Sequence, residues 1–348
     1  MELIVNIEKR LRDFTLAADF TLTDTTLALL GASGSGKSMT LKCIAGLERP
    51  DRGQIVLNER ILFDSEKGIN LPPQARSVGY LFQNYALFPN MTVRENIIFA
   101  LDGSREEKDR IFKENVARFS LDGLEHAYPA GLSGGQQQRV AFARILARGA
   151  DVLLLDEPLS ALDTHLKWQI ETALREILTM QDISAILVTH DRDEAFRIAR
   201  EIATVDRGQL TPPMDKHELF RSPGTCAATT LTGCKNISAA HRVDETHVAA
   251  TDWGITLRVA DTATDVRHIA VRAHYLVLAS KNDVDALPAR IAEVIESTFT
   301  YIVMLRFADG AMPIRWEVDK ATWHAHEAGI GDTLHFNFPV EELMLLRD

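Results

Sequence analysis

A glycine-rich stretch has the residue types and spacing that bind a polyphosphate. It fits the pattern G-x-x-x-x-G-K-[ST] and comprises Gly31, Ala32, Ser33, Gly34, Ser35, Gly36, Lys37 and Ser38. Glycines let the backbone wrap closely around phosphate groups, and the N–H groups of a following helix supply positive potential. We expect Lys37 to reach the β- and γ-phosphates and Ser38 to place its hydroxyl on Mg²⁺. The alternative is a flexible Gly/Ser loop that merely precedes a helix.

Polar side chains also follow three apolar runs that are typical of buried strands. The runs are 152–155, 78–82 and 185–189, and the residues after them are Asp156 with Glu157, Gln83 and His190. Ligands of parallel sheets bind at the carboxyl ends of the strands. We therefore expect these side chains to gather beside the phosphate-binding loop.

A helix start in the middle of the sequence offers a second anion site. Ser133, Gly134, Gly135 and Gln136 stand directly before and within an amphipathic helix that continues to Leu146. Ser133 is a good helix N-cap, and the two glycines leave the first N–H groups of the helix unobstructed. The stretch is therefore predicted to bind an anionic group.

Together these residues have the chemistry for in-line hydrolysis of ATP. Asp156 is expected to bind Mg²⁺ directly or through water, and Glu157 to act as the general base on the attacking water. Gln83 would contact Mg²⁺ or that water, while His190 would hydrogen-bond the γ-phosphate and hold Glu157. Taken singly, each has an ordinary explanation: a polar strand cap, a structural histidine, or two carboxylates in a solvated turn.

The elements that must position these residues form an α/β core. Residues 2–8 and 14–22 alternate apolar and polar side chains, which predicts an antiparallel edge beside a central strand at 26–30. Helical spacing from about 84 to 150 predicts an all-helical insert in this core. A second domain is predicted to follow, so that the chain divides into 1–228 and 229–348.

Strand-like segments predominate in the second domain. Two of them, 268–279 and 333–346, share a strand, a short bent or helical piece and an apolar end. Residues 291–307 also alternate in a strand-like way. The pattern predicts a β-barrel-like domain with two related halves.

Composition limits the function classes. The 348 residues suffice for two domains, and a formal net charge of −11 argues against a general nucleic-acid-binding surface. The 3 cysteines have no metal-ligand spacing and suit a reduced setting. The first residues do not have the pattern of a signal peptide, and no apolar run approaches ~18 residues. A role at a membrane would therefore depend on a partner protein.

The order of these motifs resembles the ABC ATPase family over about residues 1–230. The resemblance assigns the Walker A loop to 31–38, the Q-loop glutamine to Gln83, the ABC signature to 132–136, Walker B to 152–156, the catalytic glutamate to Glu157, the D-loop to 160–163 and the switch histidine to His190. It also implies that two ATPase domains sandwich ATP, with the signature of one completing the site of the other. One set of motifs then implies a homodimer or a paired homologue. Phe14 or Phe20 would stack on the base, the alternative being a core aromatic.

Residues 83–93 resemble importer subunits of the molybdate, sulfate, maltose and spermidine group, and residues 70–76 resemble the molybdate subunit. The resemblance implies a permease that docks beside the Q-loop, a solute-binding protein, and a position on the cytoplasmic face of the cell membrane. It further implies a C-terminal TOBE/Mop-like domain of the OB type. An oxyanion-binding run there would be 232–237, or more weakly Ser297 and Thr298, and plain barrel turns are the alternative.

The solute expected from this resemblance is molybdate or tungstate. Sulfate, iron, a polyamine or a sugar are the alternatives, and so is a soluble ABC ATPase without a transport role. A purely regulatory cassette would be expected to lack Lys37 or Glu157, and the sequence has both.

Overall fold

The structure, a computed structural model, describes residues 1–82, 86–160, 164–180, 183–260 and 265–348. The chain forms two compact units, Met1–Lys216 and His217–Asp348. The predicted boundary lies later, after residue 228. The structural boundary is earlier because the segments on either side of residue 228 pack within the second unit, where the Arg272 guanidinium donates to the carbonyls of Phe220 (2.6 Å) and Thr232 (2.9 Å).

The first unit alternates strands and helices. Its strands are β1 (Glu2–Arg10), β2 (Thr15–Thr23), β3 (Thr26–Gly31), β4 (Arg52–Leu57), β5 (Arg60–Asp64), β6 (Ile69–Asn70), β7 (Val78–Leu81), β8 (Val152–Asp156), β9 (Ser184–Thr189), β10 (Glu201–Asp206), β11 (Gln209–Leu210) and β12 (Met214–Asp215). Its helices are α1 (Lys37–Ala45), α2 (Val93–Ile98), α3 (Arg105–Arg118), α4 (Gly134–Ala147), α5 (Thr164–Met180) and α6 (Arg192–Ile198), and α7 (Lys216–Arg221) crosses into the second unit.

One sheet carries the site in this unit. Its strand order is β6-β5-β4-β1-β2-β11-β10-β3-β9-β8-β7, with β12 paired to β10. Strands β10, β3, β9, β8 and β7 are mutually parallel, whereas β1, β2, β4 and β5 pair antiparallel. The predicted antiparallel edge and buried parallel core are thus confirmed. Because the five core strands are parallel, their carboxyl ends lie at one edge.

The residue patterns explain both kinds of strand. In β1 buried and exposed residues alternate along the first seven positions, as expected when one face packs on a core. In β8 the four residues before Asp156 are all fully buried, since both faces of the parallel strand are covered. The helical insert lies between β7 and β8 as predicted, and Thr92, Ser104 and Ser133 cap its helices by accepting backbone N–H groups.

A fully buried arginine joins α1 to the segment that leads into β7. The Arg76 guanidinium donates to the carbonyls of Cys43 (2.8 Å) and Ile44 (2.9 Å) at the end of α1. It also donates to Leu71 O and Asn70 Oδ1, both at 2.8 Å. Two of these bonds go to carbonyls in the last turn of α1, and the four together explain how a charge tolerates burial.

The second unit is mostly β-structure. It contains α8 (Cys226–Leu231), β13 (Asn236–Arg242), β14 (His247–Ala250), β15 (Ile255–Arg258), β16 (His268–Val271), β17 (Val277–Ala279), β18 (Leu287–Glu296), β19 (Thr300–Arg306), β20 (Ile314–Asp319), α9 (Lys320–Ala325), β21 (Thr333–Asn337) and β22 (Leu343–Leu346). Two five-stranded sheets, β15-β14-β13-β16-β22 and β17-β21-β18-β19-β20, enclose a core that includes Trp253, Trp316 and Phe336. This β-rich architecture agrees with the predicted barrel-like domain.

The two segments noticed as a repeat pair with each other. Each consists of a strand, a short 3-10 helix and a second strand. The first strand of one pairs antiparallel with the last strand of the other, giving β16 with β22 and β17 with β21. The repeated pattern therefore has a structural counterpart in two matched ladders.

In the described part of the chain, no helix combines the length and apolar character needed to cross a bilayer.

Candidate nucleotide site

The phosphate-binding loop lies between β3 and α1, as its sequence predicts. Gly34 and Gly36 have φ values of +81° and +111°, which side chains rarely adopt. A Cβ on Gly31 would lie 2.3 Å from the carbonyl oxygen of Val205 in β10, so only glycine fits there. The buried hydroxyl of Ser35 has no hydrogen-bond partner among the described residues. An unsatisfied buried donor inside this loop fits a site that an oxygen-rich anion completes.

Lys37 is held inside the loop. Its ammonium donates to the carbonyls of Gly31 and Ala32, both at 2.8 Å, and the residue is 4% exposed. Burial lowers the pKa of Lys37, while the nearby charges of Glu157 and Asp156 act in the opposite direction. A buried cation on a glycine-rich loop is well placed to attract the charge of a phosphate.

Asp156, at the end of β8, receives hydrogen bonds on both carboxylate oxygens. Ser38 donates its hydroxyl to Oδ1 at 2.6 Å, and Tyr80 of β7 donates to Oδ2 at 2.8 Å. Burial, together with the bond to Asp156, raises the pKa of Tyr80, so its hydroxyl stays a donor. Hydroxyl and carboxylate oxygens are the ligands that Mg²⁺ prefers, and these two converge beside the loop. The donor set of Ser38 and Asp156 therefore fits the predicted Mg²⁺.

Glu157 occupies a strained position directly after Asp156. Its φ is +46°, a left-handed conformation that costs energy for a residue with a side chain. Its amide donates to Val188 O at 3.1 Å, which ties it to the end of β9. His190 Nδ1 lies 3.4 Å from Glu157 Oε1, as predicted from their positions after neighbouring strands. The two side chains are thus brought together at the edge that holds Lys37 and Asp156.

A charged cluster behind His190 was missed by sequence reasoning. Asp191 caps α6 by accepting the N–H groups of Asp193 and Glu194, and Lys167 of α5 donates to Asp191 Oδ2 at 2.5 Å. Burial raises the pKa of Glu194 to about 7, against the opposing charge of Lys167. Of these residues, only Asp191 could have been found from the sequence, because an aspartate directly before a predicted helix is a common N-cap. The partner lysine comes from a helix some twenty residues away.

The predicted second anion site begins α4 as a capping box. The Ser133 hydroxyl accepts from Gln136 N (3.3 Å), and Gln136 Oε1 accepts from Ser133 N (2.9 Å). Gln136 therefore positions the turn, and Ser133 is exposed at its tip. Among the described residues, no hydrogen bond joins this turn to the loop at 31–38.

Two further predictions concern the edge of the site. Phe14 Cε2 lies 3.5 Å from the position of a Cβ on Gly36, so its ring is beside the phosphate-binding loop, whereas Phe20 is 5% exposed within the core. Phe14 is consequently the better placed of the two aromatic candidates. Gln83 and residues 161–163 of the predicted D-loop lie outside the described residues, and their roles stay predictions.

The run proposed for oxyanion binding in the second unit has its polar groups engaged internally. Asn236 Nδ2 donates to Arg315 O and its Oδ1 accepts from Arg315 N, both at 2.8 Å. The Thr232 hydroxyl donates to Thr229 O at 3.1 Å and accepts from Arg272. These bonds favour the alternative of plain structural turns. Ser297 and Thr298 lie in the exposed turn between β18 and β19.

Three potential metal ligands that are distant in sequence approach one another in the second unit. Cys226, His268 and Asp348 offer ligand atoms within 4.8 Å of each other. The Asp348 carboxylate already accepts the Cys226 N–H at 2.8 Å, which is the contact of an acid at a helix start. The main-chain oxygen of Asp348 also contacts His268 Nδ1, so hydrogen bonds to the C-terminal residue account for the grouping.

Comparison with known proteins agrees with this site. The ABC transporter family matches residues 18–160. The chain is 37% identical over 270 residues to the sulfate/thiosulfate import ATP-binding protein CysA 2 of Agrobacterium fabrum, covering 75% of this chain and 77% of that protein. It is 39% identical over 239 residues to the Fe(3+) ions import ATP-binding protein FbpC of Brucella abortus, covering 67% of this chain and 66% of that protein, just under two thirds of its length.

A solved structure extends the likeness to the fold. The dimeric post-hydrolysis state of the ATP-binding cassette MJ0796, bound to ADP and Pi, has a TM-score of 0.50 and 27% identity; the match covers 62% of this chain and 99% of that chain. Fold and site together define a nucleotide-binding cassette of the P-loop type. The chain belongs to the ABC transporter family and is similar to import ATP-binding proteins of that family.

Proposed function

We propose that this protein is the ATP-hydrolysing subunit of an ABC importer and acts at the cytoplasmic face of the membrane. The observation that carries the proposal is the convergence of Lys37, Asp156 and Glu157 at one edge of the parallel sheet. These residues come from two segments that are more than a hundred residues apart in the sequence, and each has the chemistry that its predicted role requires.

Each group has a defined task in hydrolysis. Lys37 and the N–H groups of its loop would hold the β- and γ-phosphates, and Ser38 with Asp156 would hold Mg²⁺, which would neutralise charge on those phosphates. Glu157 takes the proton of the attacking water, and His190 keeps the carboxylate oriented. Gln83 is assigned to the water or the metal on sequence alone.

A purified-protein assay tests the enzymatic part. We expect Mg²⁺-dependent release of phosphate from ATP, and we expect Lys37→Ala to weaken nucleotide binding strongly. Lys113→Ala, which removes an exposed lysine of α3, is the matched control and should retain both properties. A wild-type protein that binds no nucleotide would contradict the proposal.

The active species is proposed to be a homodimer. Ser133 is exposed at the start of α4 and has no hydrogen bond to the loop at 31–38 among the described residues. The N-terminal end of α4 therefore has its free N–H groups available to a nucleotide held by a second copy. The dimeric cassette that this chain resembles supports this arrangement.

A groove beside β7 suits the predicted permease partner. It has a volume of about 490 Å³, and its lining includes Phe82, Phe88 and Phe99, which are 39%, 37% and 55% exposed. Arg144 lies against the Phe88 ring at 5.4 Å and donates to Ala86 O, which shapes one wall. Exposed aromatic side chains in a concave surface are typical of sites that receive a partner's apolar residues. Phe82, which lines the groove, directly precedes Gln83 in the sequence, and the permease is expected to dock beside Gln83.

The solute is proposed to be the oxyanion molybdate or tungstate. This rests on the likeness of residues 70–76 and 83–93 to the molybdate group, while the relatives reported above are named for sulfate and ferric iron. A solute-binding protein and the permease would select it. Uptake of radiolabelled molybdate, sulfate and ferric iron by cells with and without Lys37→Ala tests the assignment. If Lys37→Ala abolishes the uptake of sulfate or iron alone, that ion is the solute and molybdate is not. The ATPase role would be unaffected by this outcome.

A further inference from the structure

The hydroxyl of Tyr80 fixes one oxygen of the carboxylate that is proposed to hold Mg²⁺. In the β7–β8 ladder Tyr80 lies opposite Leu154, two residues before Asp156. From there its hydroxyl reaches Asp156 Oδ2 at 2.8 Å. Ser38 holds the other oxygen, Oδ1, at 2.6 Å. The carboxylate is thus clamped between the phosphate-binding loop and the neighbouring strand.

The same side chain forms part of the groove beside β7. Tyr80 and Phe82 both line it, and their ring centroids are 4.5 Å apart. Phe82 is 39% exposed, whereas the Tyr80 hydroxyl points inward to the carboxylate. One tyrosine therefore contacts the groove with its ring and the nucleotide site with its hydroxyl.

We propose that Tyr80 is a positioning residue that sets the orientation of Asp156 toward Mg²⁺ and makes it sensitive to occupation of the groove. The inference rests on the proposed function, because it assumes that Asp156 serves Mg²⁺ bound with ATP. A phenylalanine at this position would pack equally well but would leave Oδ2 without its donor. A charge-assisted hydrogen bond is short and strong, so its loss frees the carboxylate to turn.

The test is Tyr80→Phe in the full-length protein. ATP binding is titrated with Mg²⁺, and binding in EDTA is measured in parallel. We expect the Mg²⁺ concentration for half-maximal ATP binding to rise by about tenfold, as for the loss of a hydrogen bond to a charged group. Binding in EDTA should not change. Tyr275→Phe, a tyrosine of the second unit, is the matched control and should behave as wild type.

A groove-side variant tests the second half of the inference. Phe82→Leu removes the ring against Tyr80 without touching Asp156, and it should shift the Mg²⁺ requirement in the same direction. The shift should be absent when Phe82→Leu is added to Tyr80→Phe, because both act through one hydroxyl. A shift of equal size in both backgrounds would show that the groove acts by another route and would overturn this half.

The outcomes separate the inference from the proposed function. If Tyr80→Phe has the wild-type Mg²⁺ requirement while both proteins hydrolyse ATP, the positioning role is wrong and the ATPase assignment stands. If the wild-type protein binds ATP without any Mg²⁺ dependence, the assignment of Asp156 fails, and the inference fails with it. Thermal unfolding of each variant confirms that the compared proteins are folded.

Discussion

The polar side chains discussed for the two units differ in hydrogen bonding, backbone strain and buried charge. At the sheet edge of the first unit, the buried Ser35 hydroxyl has no partner in the described part of the chain, Glu157 has a left-handed backbone and Lys37 is a buried cation. In the second unit, the side-chain amide of Asn236 makes two hydrogen bonds to Arg315, and the Ser238 hydroxyl donates to Ala239 O and accepts from Asp252 N.

This difference is the one expected between a ligand site, in the first unit, and residues that only support the fold, in the second. Unsatisfied or strained groups cost stability, so a fold retains them where a ligand repays the cost. Polar groups that are fully engaged with the backbone instead specify the packing of the chain around them. The residue types are similar in both units, with serines, threonines and glycines in each, but the sheet edge of the first unit combines an unsatisfied hydroxyl with a left-handed backbone and a buried cation.

The largest expected effect comes from removing the proposed general base. We expect Glu157→Gln to bind ATP but to hydrolyse it roughly 10²–10⁴-fold more slowly, because the amide cannot accept the proton of water. An ATP-dependent dimer should accumulate, which light scattering detects. Glu176→Gln, an exposed glutamate of α5, is the control. Wild-type turnover in Glu157→Gln would remove the base assignment and break the contrast between the units.

The next effect concerns the exposed start of α4. Ser133→Arg should slow hydrolysis by roughly 10²–10³-fold, the size found when a transition-state donor is lost. Nucleotide binding to the isolated monomer should persist, since Ser133 is proposed to serve the site of a second copy. Ser222→Arg, at an exposed position of the second unit, should have neither effect. Loss of nucleotide binding by the monomer would argue against a signature that acts across the dimer.

A smaller effect is expected from the buried carboxyl group behind His190. The native pKa of Glu194 is raised to about 7, so the folded protein keeps a proton that the unfolded chain releases at lower pH. The free energy of unfolding should therefore fall by about 2 kcal/mol between pH 5 and pH 8. Glu194→Gln has no such proton to lose.

Urea unfolding across this pH range measures the difference between wild type and variant. Lys167, Asp191 and Glu171 are the charged groups that surround Glu194, and all of them remain in the variant. The control Glu176→Gln should keep the wild-type slope. An identical slope in Glu194→Gln would mean that the proton is bound elsewhere.

The smallest effect should come from the second unit. Asn236→Ala leaves the Arg315 backbone groups without partners and should lower the free energy of unfolding by about 1.5 kcal/mol. ATP hydrolysis should be unchanged. Calorimetric titration of the whole protein with molybdate, before and after the change, completes the comparison. If the wild-type protein binds molybdate and Asn236→Ala does not, the second unit contains a ligand site and the contrast between the units is wrong.

The sequence by itself determined the parts of the site that depend on short-range spacing. The loop at 31–38, the cap at Ser133 and the apolar strand before Asp156 each have a local physical cause, so they could be predicted without a fold. Parallel strands bring their carboxyl ends to one edge, and this general rule was enough to predict that Glu157 and His190 would meet.

Only the tertiary structure decided which distant groups satisfy one another. Tyr80 reaches Asp156 across 76 positions of sequence, and Lys167 reaches Asp191 from another helix. The choice of Phe14 over Phe20 also needed the position of the loop relative to the strand. Hydrogen bonds act over about 3 Å, so which groups meet depends on strand register and helix packing, and residue spacing does not specify either across such separations.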